Sequence, residues 1–198
     1  FFPGENRRTF APPRLTVPAS TLEAMRAQLS ALPRPWISIL PGAARGPSKQ
    51  WPAERYAEAA AALVAQTGGS ILALGTSSEQ APCQQVAAAA APNGLNLAGA
   101  TTMEELCAVL ALSAAVLCND SGGMHLAAAL GTPLAALYGI TNPAQTGPLG
   151  ATIRILQRSD RRARDVPRQS REAEKALRAI SVPEAVQAVL ELLPPSPS

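Results

Sequence analysis

Short apolar runs alternate with longer helical stretches from Trp36 onward, and this alternation leaves few folds open. Trp36–Leu40 (W-I-S-I-L) reads as a strand: it is short, apolar and stopped by Pro41-Gly42. Residues 52–66 read as a helix. Pro52 suits its first turn, Tyr56, Ala60, Leu63 and Val64 fall on one face, and Gly68-Gly69 close it. The pattern then repeats. Residues 70–74 form a strand, 79–91 an Ala-rich helix halted by Pro92 and Asn93-Gly94, and 95–97 a brief strand. Residues 102–112 form a helix, capped by Thr101 or Thr102 and carrying Glu104 and Glu105 in its first turn. A strand over 114–118, a helix over 123–130, a strand over 134–138, a final strand over 152–156 and helices over 170–178 and 182–193 complete the series. Repeated strand–helix units of this pitch force a parallel sheet with helices on both faces, so the fold class is α/β and Rossmann-like.

The N-terminal 35 residues differ. They are rich in Pro and Arg, and only residues 20–32 have helical spacing, with Leu22, Met25, Leu29 and Leu32. They read as an interdomain linker, or a remnant of a preceding domain, joined to a binding domain over residues 36–198 that ends in two helices.

Composition excludes several classes. Hydrophobic residues make up 47% and charged residues 16% of the 198, too apolar for a disordered chain. Aromatics are only 4%, so the core must be built from Ala, Leu, Val and Ile. A net charge of +3 is too small and too scattered for nucleic-acid binding. The one basic cluster, residues 154–171, suits anionic lipid or an anionic substrate, or is a solvated loop with Asp160 and Asp165 interleaved. Three cysteines without paired spacing argue against a disulfide framework and fit a reducing compartment; Cys107 and Cys118 sit in apolar runs and read as core thiols. One histidine and no C-x-x-C make a metal site improbable. The N-terminus lacks signal-peptide character, and the longest apolar stretch, residues 106–118, is too short to span a bilayer. These points place the chain in the cytoplasm.

In an open parallel sheet, ligands bind beyond the carboxyl ends of the strands, so the residues just after each strand matter most. After the first strand, P-G-A-A-R-G-P-S-K-Q-W combines Gly-rich backbone with Arg45 and Lys49, which suits a phosphate, or is a plain loop with surface charge. After the second, G-T-S-S-E offers Glu79 to ribose hydroxyls, or simply as a helix first-turn acid. After the fourth, N-D-S-G-G-M-H turns straight into a helix. The N–H groups of Ser121, Gly122 and Gly123 would face an anion, His125 lies one turn in, and Asp120 is a hydroxyl ligand or the N-cap. After the fifth, Y-G-I-T-N-P-A-Q-T-G offers Thr141, Asn142 and Thr146, or ordinary turn chemistry.

Taken in order, P-G-A-A-R-G-P-S-K-Q-W-P-A-E-R-Y, L-A-L-G-T-S-S-E, N-L-A-G-A-T-T-M-E-E-L, C-N-D-S-G-G-M-H-L-A-A-A-L-G-T-P and A-L-Y-G-I-T-N-P-A-Q-T-G-P resemble glycosyltransferase family 9, the heptosyltransferases of lipopolysaccharide core synthesis. The resemblance spans residues 36–150 and continues more weakly through the last helix. It implies the C-terminal, donor-binding half of a two-domain GT-B glycosyltransferase that transfers heptose from ADP-L-glycero-D-manno-heptose to the lipopolysaccharide inner core, inverting the anomeric centre without metal or cofactor. Carried across, Lys49 with Arg45 would bind the donor diphosphate, Glu79 the ribose and Met103 the adenine. Asp120 would contact the heptose, and Ser121, Gly122 and His125 would surround the phosphates and sugar.

The resemblance further implies that the general base belongs to an N-terminal acceptor domain that this chain does not match. No catalytic residue is then expected here, and the chain alone would be inactive. Its partners would be the nucleotide sugar and, through the other domain, the lipid A-core acceptor, with room for peripheral association at the inner face of the inner membrane. Two alternatives stay open: a non-catalytic nucleotide-sugar-binding module, and another GT-B enzyme using a different nucleotide sugar. An NAD-binding protein is disfavoured, because no G-x-G-x-x-G follows the first strand.

Overall fold

The computed structural model describes residues 12–43, 49–150, 152–159 and 170–194. Arg45 and most of the basic cluster lie outside these residues.

Six parallel strands form one sheet in the order β3-β2-β1-β4-β5-β6. They are β1 (Trp36–Leu40), β2 (Ser70–Ala73), β3 (Gly94–Asn96), β4 (Ala115–Asn119), β5 (Leu134–Tyr138) and β6 (Ile153–Gln157). This is the doubly wound Rossmann order, and the sequence direction reverses between β1 and β4. There Ile37, Ser38, Ile39 and Leu40 pair with Ala115, Val116, Leu117 and Cys118.

The helices are α1 (Ala19–Gln28), α2 (Ala53–Thr67), α3 (Gln80–Ala89), α4 (Met103–Leu112), α5 (Gly122–Ala129), α6 (Pro143–Thr146), α7 (Arg171–Arg178) and α8 (Val182–Leu190). Strand alternation sends side chains to two cores, one on each face. Ile37, Ile39, Ile71, Leu117 and Leu137 pack with residues of α2, α3 and α8. Trp36, Leu72, Val116, Leu134 and Tyr138 pack with residues of α1, α4 and α5. β1, β2, β4 and β5 are buried throughout, which is why they read as continuous apolar runs. Ser38, the one polar residue in β1, is buried but satisfied: its hydroxyl meets Ser113 Oγ at 2.7 Å, and Ser113 bonds the Val109 carbonyl.

The expected elements are present, with adjustments at their ends. The helix expected from Glu79 begins at Gln80, after a 3-10 turn over Ser77–Glu79. The polar segment after β5 contains a short helix, α6, capped by Asn142, whose Oδ1 accepts from the Ala144 N–H. Residues 12–35 are tied to the sheet. Met25 and Leu29 of α1 and its exit are buried in the second core, and the Leu15 N–H donates to the Ala129 carbonyl at 2.8 Å. The three cysteines are free thiols; Cys83 and Cys118 are buried and Cys107 half-buried. Among the described residues no helix is long and apolar enough to cross a membrane, and no group of three or more His, Cys, Asp or Glu could hold a metal ion.

Candidate functional site

The reversal between β1 and β4 splays the loops that follow them and opens a cleft of about 420 Å³ at the carboxyl edge of the sheet. Every side of it comes from a segment that follows a strand. The exit of β1 supplies Gly42 and Ala43, that of β2 supplies Gly75, Thr76 and Glu79, and that of β3 supplies Thr101, Thr102 and Met103. Ser121, Gly122 and Gly123 bring in the N-terminus of α5.

Glu79 is the carboxylate of this lining. Its Oε2 accepts from the Thr76 N–H at 2.7 Å and from the Thr76 hydroxyl at 2.9 Å, a capping box closing the 3-10 turn. Its Oε1 lies against the backbone of Gly42, where a Cβ would come within 1.6 Å. The absence of a side chain at residue 42 is therefore what lets the carboxylate sit between the β1 and β2 loops, with Oε2 bonded to Thr76 and Oε1 beside Gly42. Beneath it, burial first and then the Glu79 charge push the Cys83 thiol up to about 12, so Cys83 is a packing group and not a nucleophile.

Met103 opens α4 and is 68% exposed, a large apolar side chain standing free on the cleft rim. The helix beneath it starts firmly: Thr102 caps it and Glu105 reaches back to the Thr102 N–H at 2.7 Å. That hydrogen bond and the Thr102 hydroxyl hold the Glu105 carboxyl below its ordinary range.

The end of β4 carries the densest polar contacts. Lys49 and Asp120 form an ion pair, with side chains only 16% and 9% exposed. Asp120 is not the N-cap of α5; Ser121 occupies that position, and its side chain makes no capping hydrogen bond. The first N–H groups of α5 thus face the cleft without an internal partner from the cap, the arrangement that attracts an anion. Next to Asp120, Asn119 is wholly buried and bonds three backbone groups of the β1 loop.

Of the residues singled out from sequence, Glu79, Met103, Ser121 and Gly122 line the cleft, and Lys49 with Asp120 sits beside it. His125 is exposed on α5 and does not belong to the lining. Arg45 lies outside the described residues. Asn142 and Thr146 are used within their own turn, since the Thr146 hydroxyl bonds the Asn142 carbonyl, and the Thr141 carbonyl accepts from Gln157. Asn119 and Thr76 were missed as site residues, whereas Gly42 belongs to the Gly-rich backbone read after the first strand. The T-x-x-E spacing of Thr76 and Glu79 was a readable capping-box signal; the partners of Asn119 lie far off in sequence and left none.

Comparisons with known proteins bear on the family and the fold. The sequence profile of glycosyltransferase family 9 (heptosyltransferase) matches residues 11–176. Lipooligosaccharide heptosyltransferase 2 of Haemophilus influenzae is 41% identical over 145 residues, covering 70% of this chain and 41% of that protein. The structure of E. coli ADP-heptose lps heptosyltransferase II superposes with a TM-score of 0.80 at 29% identity, over 94% of this chain and 55% of that one. A family 9 glycosyl transferase from Veillonella parvula gives 0.79 at 25% identity, over 90% and 53%. The chain thus spans about half the length, or less, of these relatives.

Proposed function

The chain belongs to glycosyltransferase family 9, the heptosyltransferases, and on that premise we propose that it is the donor-binding part of a heptosyltransferase, holding a nucleoside diphosphate sugar for inverting transfer to the lipopolysaccharide inner core. One observation carries the reading: a single cleft at the strand-order reversal brings together a carboxylate, an exposed apolar side chain and a helix N-terminus, with a half-buried lysine beside it. Each matches one part of an ADP-sugar. Glu79 suits the ribose hydroxyls through its Oε1, and Met103 gives the adenine an apolar face. The α5 N-terminus and Lys49, with Arg45 on the same loop, suit the diphosphate. Asp120 and His125 are then assigned to the sugar end, with Ser121 and Gly122 around the phosphates.

On this reading the chain contributes to chemistry through the leaving group. Negative charge grows on the diphosphate as the glycosidic bond breaks, and prearranged N–H dipoles and the Lys49 ammonium stabilise it without reorganisation. Glu79, held to Thr76 through Oε2, is oriented to bind the donor. The general base is accordingly assigned to an acceptor-binding domain, as is contact with the membrane-borne lipid A-core at the inner face of the inner membrane. Residues 1–35 lead in from that domain, with α1 packed on the second core, and residues 36–198 form the donor domain they join.

Calorimetric titration of the chain with ADP, UDP and NAD tests this. ADP-selective binding, weakened about tenfold or more by Lys49→Ala, is the expected result. Equal affinity for the three, or indifference to Lys49→Ala, would sink the assignment.

A further inference from the structure

Asn119 ends β4 with its side chain wholly buried, yet every part of its amide is engaged. Nδ2 donates to the Pro41 carbonyl at 2.8 Å and to the Gly42 carbonyl at 3.2 Å, and Oδ1 accepts from the Trp51 N–H at 3.0 Å. Pro41 and Gly42 begin the loop after β1, and Trp51 ends it. One planar group therefore clamps both ends of that loop to the tip of the neighbouring strand. Few side chains can do so at this size. An aspartate accepts but cannot donate, a leucine of similar volume does neither, and a glutamine needs an extra methylene where nothing is exposed.

The consequences reach the cleft on its Lys49 side. Lys49 stands two residues before Trp51, and Asp120 follows Asn119, so the Lys49–Asp120 ion pair and the Trp51–Asn119 bond are adjacent rungs between the same two segments. At the other end of the loop, Gly42 leaves room for Glu79, whose place is set by its bonds to Thr76. The strand tip then runs directly into Ser121 and the N-terminus of α5. Trp51 is held from behind as well, its indole N–H donating to the Ile180 carbonyl at 3.1 Å.

We propose that Asn119 is a positioning residue for the diphosphate end of the donor site, setting the distance between the Lys49 ammonium and the N–H groups of α5. The proposal rests on the donor-site reading above. It makes the phosphate subsite depend on a side chain that touches no ligand, while the ribose subsite keeps Glu79 through its bonds to Thr76 and the adenine subsite lies at the β3 exit.

The test is titration of wild type, Asn119→Leu and Asn119→Ser with ADP and with adenosine, which lacks the phosphates. A thermal melt of each variant establishes that it is folded, and Asn119→Ser serves if Asn119→Leu does not fold. The expected result is a loss of ADP affinity of about tenfold or more with adenosine affinity unchanged. Exchange of the Trp51 amide with solvent should speed up in the same variants. Equal losses for ADP and adenosine, or no loss for either, would overturn the proposal while leaving the donor site standing. Failure of wild type to bind ADP would overturn both.

Discussion

Gly42 and Glu79 act as one unit, because a carboxylate occupies the space a methyl group would need. Gly42→Ala should push the Glu79 carboxylate off its seat and weaken ADP binding about tenfold while lowering the melting temperature only slightly, because the end of that side chain can yield; titration and melting of the variant check this. Tyr56 gives a prediction of opposite sign. Its ring meets Trp51 edge-on at 4.9 Å, and its hydroxyl is buried with no hydrogen-bond partner among the described residues. Burial holds that phenol well above its ordinary range, so it is neutral at any working pH. Removing an unsatisfied group should not harm the protein. Tyr56→Phe is expected to leave stability unchanged or raise it by up to about 1 kcal/mol in urea denaturation, and a clear loss would show that the hydroxyl has a partner. The residues legible in sequence were those whose chemistry is local. Lys49 stood in a Gly-rich loop after a strand, and Glu79 and Ser121 followed strands directly. Asn119 was illegible as a clamp because its three partners come from residues 41–51, on another strand's loop.

Among the elements, α8 shows how a helix start is written in sequence and strengthened by its surroundings. Ser181 accepts from the Glu184 N–H, and Glu184 Oε2 accepts from the Ser181 N–H at 2.8 Å and its hydroxyl at 2.7 Å. Arg158, just after β6, adds an ion pair to the same carboxylate. The Ser181 hydroxyl first, then its N–H and Arg158, lower the Glu184 carboxyl from 4.5 to about 2. A carboxyl lowered on folding favours the folded state when ionised. That contribution is whole above about pH 4.5 and is lost as pH falls toward 2. Glu184→Gln should therefore lower the melting temperature at pH 7 and converge on wild type near pH 2, while Ser181→Ala should cost about 1 kcal/mol at neutral pH. A Glu184→Gln deficit that persisted undiminished at low pH would contradict the capping account. Sequence marked this start through Val182-Pro183-Glu184, and likewise that of α4 through its threonines and glutamates. It did not mark α6, whose four residues are too few for a periodic signal.

For the whole molecule, both cores share one sheet, with α1, α4 and α5 on one face and α2, α3 and α8 on the other. Neither core can come apart without exposing the same strands, so the chain is expected to melt in a single cooperative transition. Saturating ADP should raise its apparent stability by about 2.7 kcal/mol at a hundred times the dissociation constant, and Lys49→Ala should reduce that gain at the same ADP concentration. Two separate transitions, or a melt indifferent to ADP, would count against this picture. By itself the sequence determined which segments are strands and which are helices, α6 excepted, because hydrophobic period, caps and Gly/Pro stops act over a few residues. It also determined that the sheet is parallel, since a helix between successive strands permits little else. Only the tertiary structure decided that β1 lies beside β4. That neighbour relation closes the Lys49–Asp120 pair across 71 residues of chain, seats Asn119 on the β1 loop and sets the α5 N-terminus beside the cleft. Such contacts depend on where whole strands pack, a free energy summed over both cores, and no short stretch of sequence carries it.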